Sequence, residues 1–231
     1  MFDQDFVYPW ENTKDFVWND QWQTKAVRSH PYATETIKRN DLMINQIKCV
    51  FTEVPTELDR FIQASQIIQA EAKKYFIEFW RMNKGQRNGI LWWNLRDGWP
   101  VISDAIVDYY YSKKLAYHYV KRVQTDVCVM IGDANEKGHP VVIVNDTLNV
   151  ANGSLLIKDA DSSEILMSKS FKVDINGKTN AGYIDKIVMP KLWLIEWTVD
   201  DEKYTNHYFA FQPHVKLDVY LKWLPLLKLN I

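Results

Sequence analysis

Between residues 57 and 82 apolar side chains recur every three or four positions: Leu58, Phe61, Ile62, Ile68, Ala72, Tyr75, Phe76, Phe79 and Trp80. That period lays one apolar stripe along an α-helix. Pro55 and Thr56 set its start, and Asp59, three positions after Thr56, completes a capping-box-like arrangement. Gly85, following Asn83 and Lys84, supplies the stop. A helix of this span is about 39 Å long, more than a small compact domain usually needs. Residues 34–50 (TETIKRNDLMINQIKCV) read as another helix, ending before Pro55.

The grammar then shifts. Residues 89–95 (GILWWNL) form a continuous apolar run, the pattern of a strand buried on both faces. Residues 112–123 (SKKLAYHYVKRV) predict a shorter helix with Leu115, Tyr119 and Val120 or Val123 on one side. Helix, buried strand, loop and helix in that order belong to α/β architecture with parallel strands. One parallel strand cannot stand without neighbours, so this region reads as part of a larger sheet or barrel. Residues 1–33 carry polar and aromatic residues in no sustained period, broken by Pro9 and Pro31. Such a long irregular segment fits loop structure draped over a larger body.

After Gln124 short strands alternate with turns. Strands are predicted at 127–131, 140–147, 154–160, 164–173, 182–188, 192–199 and 203–211, with a terminal helix at 216–224. This spacing indicates an antiparallel sandwich of immunoglobulin type, although the Cys-Trp-Cys pattern of a true immunoglobulin domain is missing. The fold class expected is therefore α/β plus all-β. A domain boundary near residue 125 would separate residues 1–124 from a sandwich at 125–231.

Composition narrows the function classes. Of 231 residues, 47% are hydrophobic and 25% charged, the balance of a globular chain. A net charge of -1 offers no basic excess for phosphates, which argues against nucleic acid. No apolar run has the length of a membrane span, and the N-terminus lacks the basic-then-apolar order of a signal peptide. Cys49 and Cys128 read as two buried free thiols or as a disulfide. No cysteine–histidine cluster has metal-ligand spacing and no glycine-rich phosphate loop is present, so no cofactor is expected. The unusual feature is ten tryptophans. Large barrels and carbohydrate sites both use tryptophan at that density.

The segment GILWWNLRDGWP (89–100) places wide aromatic faces and hydrogen-bonding groups at the end of the apolar run. A pyranose, with an apolar ring face and a rim of hydroxyls, needs that combination. The segment also resembles the last barrel strand of glycoside hydrolase family 2 enzymes, on the β-mannosidase and exo-β-glucosaminidase side, where it reads approximately G-x-hydrophobic-x-W-Q-L-N-D-x-W-P. Gly89, Trp93, Leu95, Asp97, Trp99 and Pro100 match, while Asn94 stands where glutamine is usual and Arg96 where asparagine is usual. SQIIQAEAKKYFIEFWR (65–81) resembles the helix before that strand, and SDAIVDYYYSKKLAYHYVKR (103–122) the start of the final barrel helix. The resemblance covers residues 56–124 well, the sandwich by position, and residues 1–55 weakly.

The resemblance implies a truncated C-terminal part of a (β/α)8 barrel followed by an immunoglobulin-like sandwich. A complete barrel takes about 250 residues, so the chain is expected to be the C-terminal piece of a longer retaining exo-β-glycosidase acting on terminal β-mannosides or β-galactosides. Its partners would be that carbohydrate and the missing N-terminal part of the same enzyme, and self-association through the truncated region is a further expectation. Retaining glycosidases use two carboxyl groups about 5–5.5 Å apart, and in this family both are glutamates on earlier strands. Here Glu53 and Glu57 read as helix-start charges, Glu71 and Glu78 as solvated, and Glu11 as a loop residue beside Trp10. No catalytic pair is assigned, and the chain alone is expected to be inactive.

What remains is one pocket wall, with Trp93, Asn94, Asp97 and Trp99 as the substrate-binding candidates. The resemblance implies that Trp93 packs under the sugar; barrel filling is its other reading, and Trp92 is the expected core member, since adjacent strand residues face opposite ways. Asn94 and Asp97 would hydrogen-bond sugar hydroxyls, or Asp97 would cap the next turn. Arg96 is expected to pair with Asp97 or Asp104, and Tyr109, Tyr110 and Tyr111 to pack the barrel against the sandwich. His30, His118, His139, His207 and His214 read as packing or surface residues. The alternative function is a non-catalytic carbohydrate-binding or structural β-sandwich module, for which an exposed Trp193–Trp197 pair would supply a sugar platform.

Overall fold

The structure is a computed structural model that describes residues 39–87, 89–98 and 103–229. Within them lie helices α1 (Arg39–Lys48), α2 (Leu58–Met82), α3 (Leu115–Val123) and α4 (Leu217–Trp223), the last running into a 3-10 turn at Leu224–Leu227. Seven strands are described: β1 (Val127–Ile131), β2 (His139–Asn145), β3 (Ala151–Asp159), β4 (Ile165–Val173), β5 (Lys178–Ile184), β6 (Lys191–Val199) and β7 (Glu202–Ala210). They form a three-stranded sheet in the order β1-β2-β5 and a four-stranded sheet in the order β4-β3-β6-β7. Every strand pair is antiparallel. The two sheets make a sandwich that fits the immunoglobulin-like expectation.

Strand β6 shows why the sequence folds this way. Trp193, Ile195, Trp197 and Val199 alternate with half-buried Leu194, Glu196 and Thr198, so one face enters the sandwich core. Trp193 lies opposite Tyr208 and Trp197 opposite Tyr204 across the β6–β7 pair. Both pairs of rings stack with centroids 5.5 Å apart, the cross-strand contact that stabilises a sheet. Val129, Ile143 and Ile157 complete that core. Each fully buried side chain of this size contributes about 1.5–3 kcal/mol.

A second core joins the helices to the sandwich. Phe61 and Ile67 of α2, Tyr119 and Val123 of α3, and Tyr220 and Trp223 of α4 pack with Leu192 of β6 and Phe209 of β7. Residues on both sides of position 125 thus share one apolar interior. The end of α2 is pinned to the β2–β3 connection. Arg81 donates to the Val123 carbonyl at 2.5 Å and pairs with Asp146 at 2.7 Å, and Lys84 also pairs with Asp146.

Three local expectations change. Helix α2 starts with Glu57 at the cap position and no side-chain cap bond. Thr56 is therefore one residue outside the cap, too early for its hydroxyl to close a capping box. The apolar stripe also drifts. In the second half of α2, Ile77 is buried beside Lys74 and Glu78, while Tyr75 and Phe76 face solvent.

The third change is the largest. Residues 89–95 are not a strand, and Leu91 is 100% exposed, Trp93 72% and Leu95 61%. An apolar run becomes a buried strand only when other strands satisfy both its edges. Here the described pairing is confined to its C-terminal end. Ile106 donates to Asn94 O at 3.2 Å, Val107 to Leu95 O at 3.0 Å, and Asp97 to Val107 O at 3.1 Å.

Candidate functional site

The segment that carries the aromatic-rich motif folds back on itself between residues 93 and 108. Lys114 is at its centre. Its main chain donates to Ile106 O at 2.9 Å, and its ammonium donates to Ser103 O at 3.2 Å and lies 3.5 Å from Asp97. Burial pushes the Lys114 pKa down, and Asp97 opposes that shift by favouring the ammonium. Asp97 is itself only 3% exposed and accepts the Ser103 hydroxyl. Its carboxylate therefore ties together the two arms of the fold-back.

Trp93 stands on the outside of this arrangement, and Trp92, its neighbour, is half-buried against the helical core. The two rings thus meet different surroundings, although the strand from which their alternation was expected is not formed. Asn94 is half-buried, and its Oδ1 has no hydrogen-bond partner among the described residues. Such an orphaned acceptor is costly unless something else supplies a donor. Trp99 lies outside the described residues, as do Glu11 and His30. A cavity of about 750 Å³ is lined by Trp93 and by residues of α2. Lys73, Asp104 and Leu42 line it, together with Phe209 and Phe211 from the sandwich half. Its lining is mainly apolar with a few polar groups such as Lys73 and Asp104, the composition common to small-molecule pockets.

Arg96 places its guanidinium 4.3 Å from the centroid of the Tyr111 ring. Tyr109, Tyr110 and Tyr111 are exposed, so they do not pack a helical layer against the sandwich. They sit in the turn before Lys114, where the chain bends outward; Tyr111 has φ +68°. Trp193 and Trp197 are each 2% exposed. They are core residues and offer no platform to a sugar. His139 packs edge-on against Trp193, and His214 is exposed.

Glu71 and Glu78 were expected to be solvated, and the structure overturns this. Glu78 pairs with Lys74 at 2.7 Å and accepts the Asn206 amide at 2.6 Å. Glu71 accepts from Tyr220 at 2.5 Å and lies 2.8 Å from His207 Nε2. The Tyr220 hydroxyl in turn meets that of Tyr119 at 2.6 Å. The sequence shows their alignment on the helix but not their burial. Ile67, Glu71, Lys74 and Glu78 keep the three- and four-residue spacing of a single helix face, so polar residues continue the buried line. Glu53 and Glu57 are exposed around the start of α2, as expected of helix-start charges.

Burial pushes the Glu78 carboxyl up. Burial would also raise Glu71, but His207, Lys74 and Tyr220 outweigh it and leave that carboxyl below its ordinary range. Both carboxylates are consumed by partners that lock α2 to β7 and α4.

No protein-family model matches the chain. β-Mannosidase B of Aspergillus niger is 42% identical over 77 residues, which is 32% of this chain and 9% of that protein. β-Mannosidase B of Emericella nidulans is 41% identical over 71 residues, 29% of this chain and 8% of that protein. The match thus spans less than a tenth of the length of these curated relatives. Among solved structures, the β-D-mannosidase from Dictyoglomus thermophilum superposes with a TM-score of 0.68 at 27% identity, covering 84% of this chain and 24% of that one. The Amycolatopsis orientalis exo-chitosanase CsxA shares the fold, with a TM-score of 0.60 at 17% identity over 83% of this chain and 24% of its own. Sequence and structure agree that this chain is a relative of the C-terminal part of glycoside hydrolase family 2 enzymes.

Proposed function

We propose that this chain forms the closing segment of a (β/α)8 barrel and the following sandwich of a retaining exo-β-glycosidase that removes terminal β-linked mannose or a related sugar. Residues 1–124 belong to the barrel in this reading and residues 125–231 to the sandwich. The observation that carries it is Trp93, an aromatic ring 72% exposed in the segment whose residues match the family's last barrel strand. An indole exposed together with Leu91 and Leu95 offers an apolar face of the kind that marks an interaction site, and it can serve as a wall under a pyranose. In this reading Asn94, whose Oδ1 lacks a described partner, accepts from a sugar hydroxyl. Asp97 fixes the fold-back through Ser103 and Lys114, and Trp99 remains a binding candidate outside the described residues. The catalytic glutamates come from the part of the enzyme that precedes this segment, and that part covers Leu91, Trp93 and Leu95. Without it the chain self-associates through this apolar face.

A chimera tests the reading. Residues 56–124 replace the corresponding segment of the Dictyoglomus thermophilum β-mannosidase, and turnover of an aryl β-mannoside is measured. The chimera is expected to hydrolyse the substrate, and Trp93→Ala to lower its kcat/KM at least tenfold, about 1.4 kcal/mol of transition-state binding. A folded but inactive chimera, or a Trp93→Ala variant with unchanged kcat/KM, would overturn the proposal.

A further inference from the structure

Helix α2 presents a polar line, Gln66, Gln69 and Lys73, toward the fold-back, at spacings that keep all three on one side of the helix. Each holds main chain. Gln66 Oε1 accepts the Leu115 amide at 3.2 Å. Gln69 Nε2 donates to Asp104 O at 2.8 Å and contacts Ala105 O at 3.4 Å. Lys73 Nζ donates to Trp93 O at 2.6 Å and lies 5.0 Å from the centroid of the Trp92 ring. The first grip falls on the start of α3 and the second on the returning arm of the fold-back. Lys73 alone of the three grips the outgoing arm, at the tryptophan itself.

We propose that Lys73 is a positioning residue, fixing the direction of the Trp93 indole by clamping its carbonyl and the neighbouring Trp92 ring to α2. The inference rests on reading Trp93 as the sugar-facing wall. Among the described residues no ring stacks on Trp93, so its direction is set by its main chain. An ammonium–carbonyl bond is charge-assisted and stronger than a neutral one. The cation over Trp92 adds a second hold on the same pair of residues. Burial works against the Lys73 charge, whereas Asp104 favours it. The clamp acts on the backbone, so it orients the indole without touching a ligand.

The test uses the whole chain carrying 5-fluorotryptophan, with the Trp93 resonance assigned by its loss in Trp93→Phe. Lys73→Met keeps the length of the side chain and removes its donors. It is expected to shift or broaden the Trp93 resonance and to speed amide exchange at Asp97, Ile106 and Val107 at least tenfold, with β3 and β6 unchanged. Lys73→Arg, which retains charge and donors, is expected to restore both signals. An unmoved Trp93 resonance, faster exchange shared by β3 and β6, or no recovery with arginine would overturn the proposal. These signals report the loop and not sugar chemistry, so an inactive chimera would sink the glycosidase reading while leaving this result intact.

Discussion

Glu71 Oε1 lies 2.8 Å from Nε2 of His207, joining the long helix to strand β7 across 136 positions of sequence. Burial holds His207 down to about 4, with Lys74 and Arg122 acting in the same direction and Glu71 against it. The ring is therefore neutral in the folded chain. Its Nε2–H donates to Glu71, while Nδ1 has no hydrogen-bond partner among the described residues.

The sign of the pH dependence follows from that depressed value. In the unfolded chain the same imidazole takes up a proton below about pH 6.5, so the unfolded state binds more protons between there and about 4. Stability then falls as pH falls through this window, by up to about 3 kcal/mol from this one group. Glu71, held low, acts in the same direction below the unfolded carboxylate value, and Glu78, pushed up, acts oppositely. Thermal unfolding from pH 7 to 5 should fall more steeply for the parent chain than for His207→Gln. Parallel curves would show that His207 is not the linked group.

Lys74 and Glu78 form a buried ion pair one helical turn apart, closed by the Asn206 amide. Removing the cation strands a carboxylate in the interior. Lys74→Met is expected to cost about 3–5 kcal/mol in urea unfolding. Adding Glu78→Gln should recover part of that loss, because a neutral amide oxygen still accepts from Asn206. A double variant no more stable than the single one would contradict this account.

Gly153 sits in β3 between its two neighbours. A Cβ there would come 2.2 Å from Thr198 O and 2.7 Å from the Phe171 ring. Gly153→Ala should therefore part β3 from β6 or displace Phe171, lowering stability by about 1–3 kcal/mol. Denaturant titration gives the number directly, and a neutral result would mean that the sheet yields at this point without cost.

The sandwich was legible because its signals are local. Short apolar or alternating runs mark the strands and turn residues such as Asn176–Gly177 separate them, so β1 begins and ends where the pattern says, whereas β5 lies four residues before its predicted span of 182–188. The start and stop of α2 were readable for the same reason. Its inward face was not, because aromatic residues at 75, 76, 79 and 80 mimic a core stripe. Only the position of β7 reveals that Asn206 and His207 await Glu78 and Glu71 there. The site divides similarly. Trp92 as the more buried of the two tryptophans was expected, although from a strand that does not form, whereas the burial of Asp97 depends on Lys114, seventeen residues further along.

By itself, then, the amino-acid order determined where the long helix and most sandwich strands lie, that the second half is a two-layered β structure, and which short segment resembles the glycosidase motif. Tertiary structure alone decided that the apolar run at 89–95 forms no strand and exposes Leu91, Trp93 and Leu95, that two glutamates of the long helix are interior, and that helices and sandwich share a core. The reason is physical. Periodicity and turn chemistry act between residues close in sequence, whereas desolvation, ion pairing and strand pairing depend on partners that only the folded chain brings together.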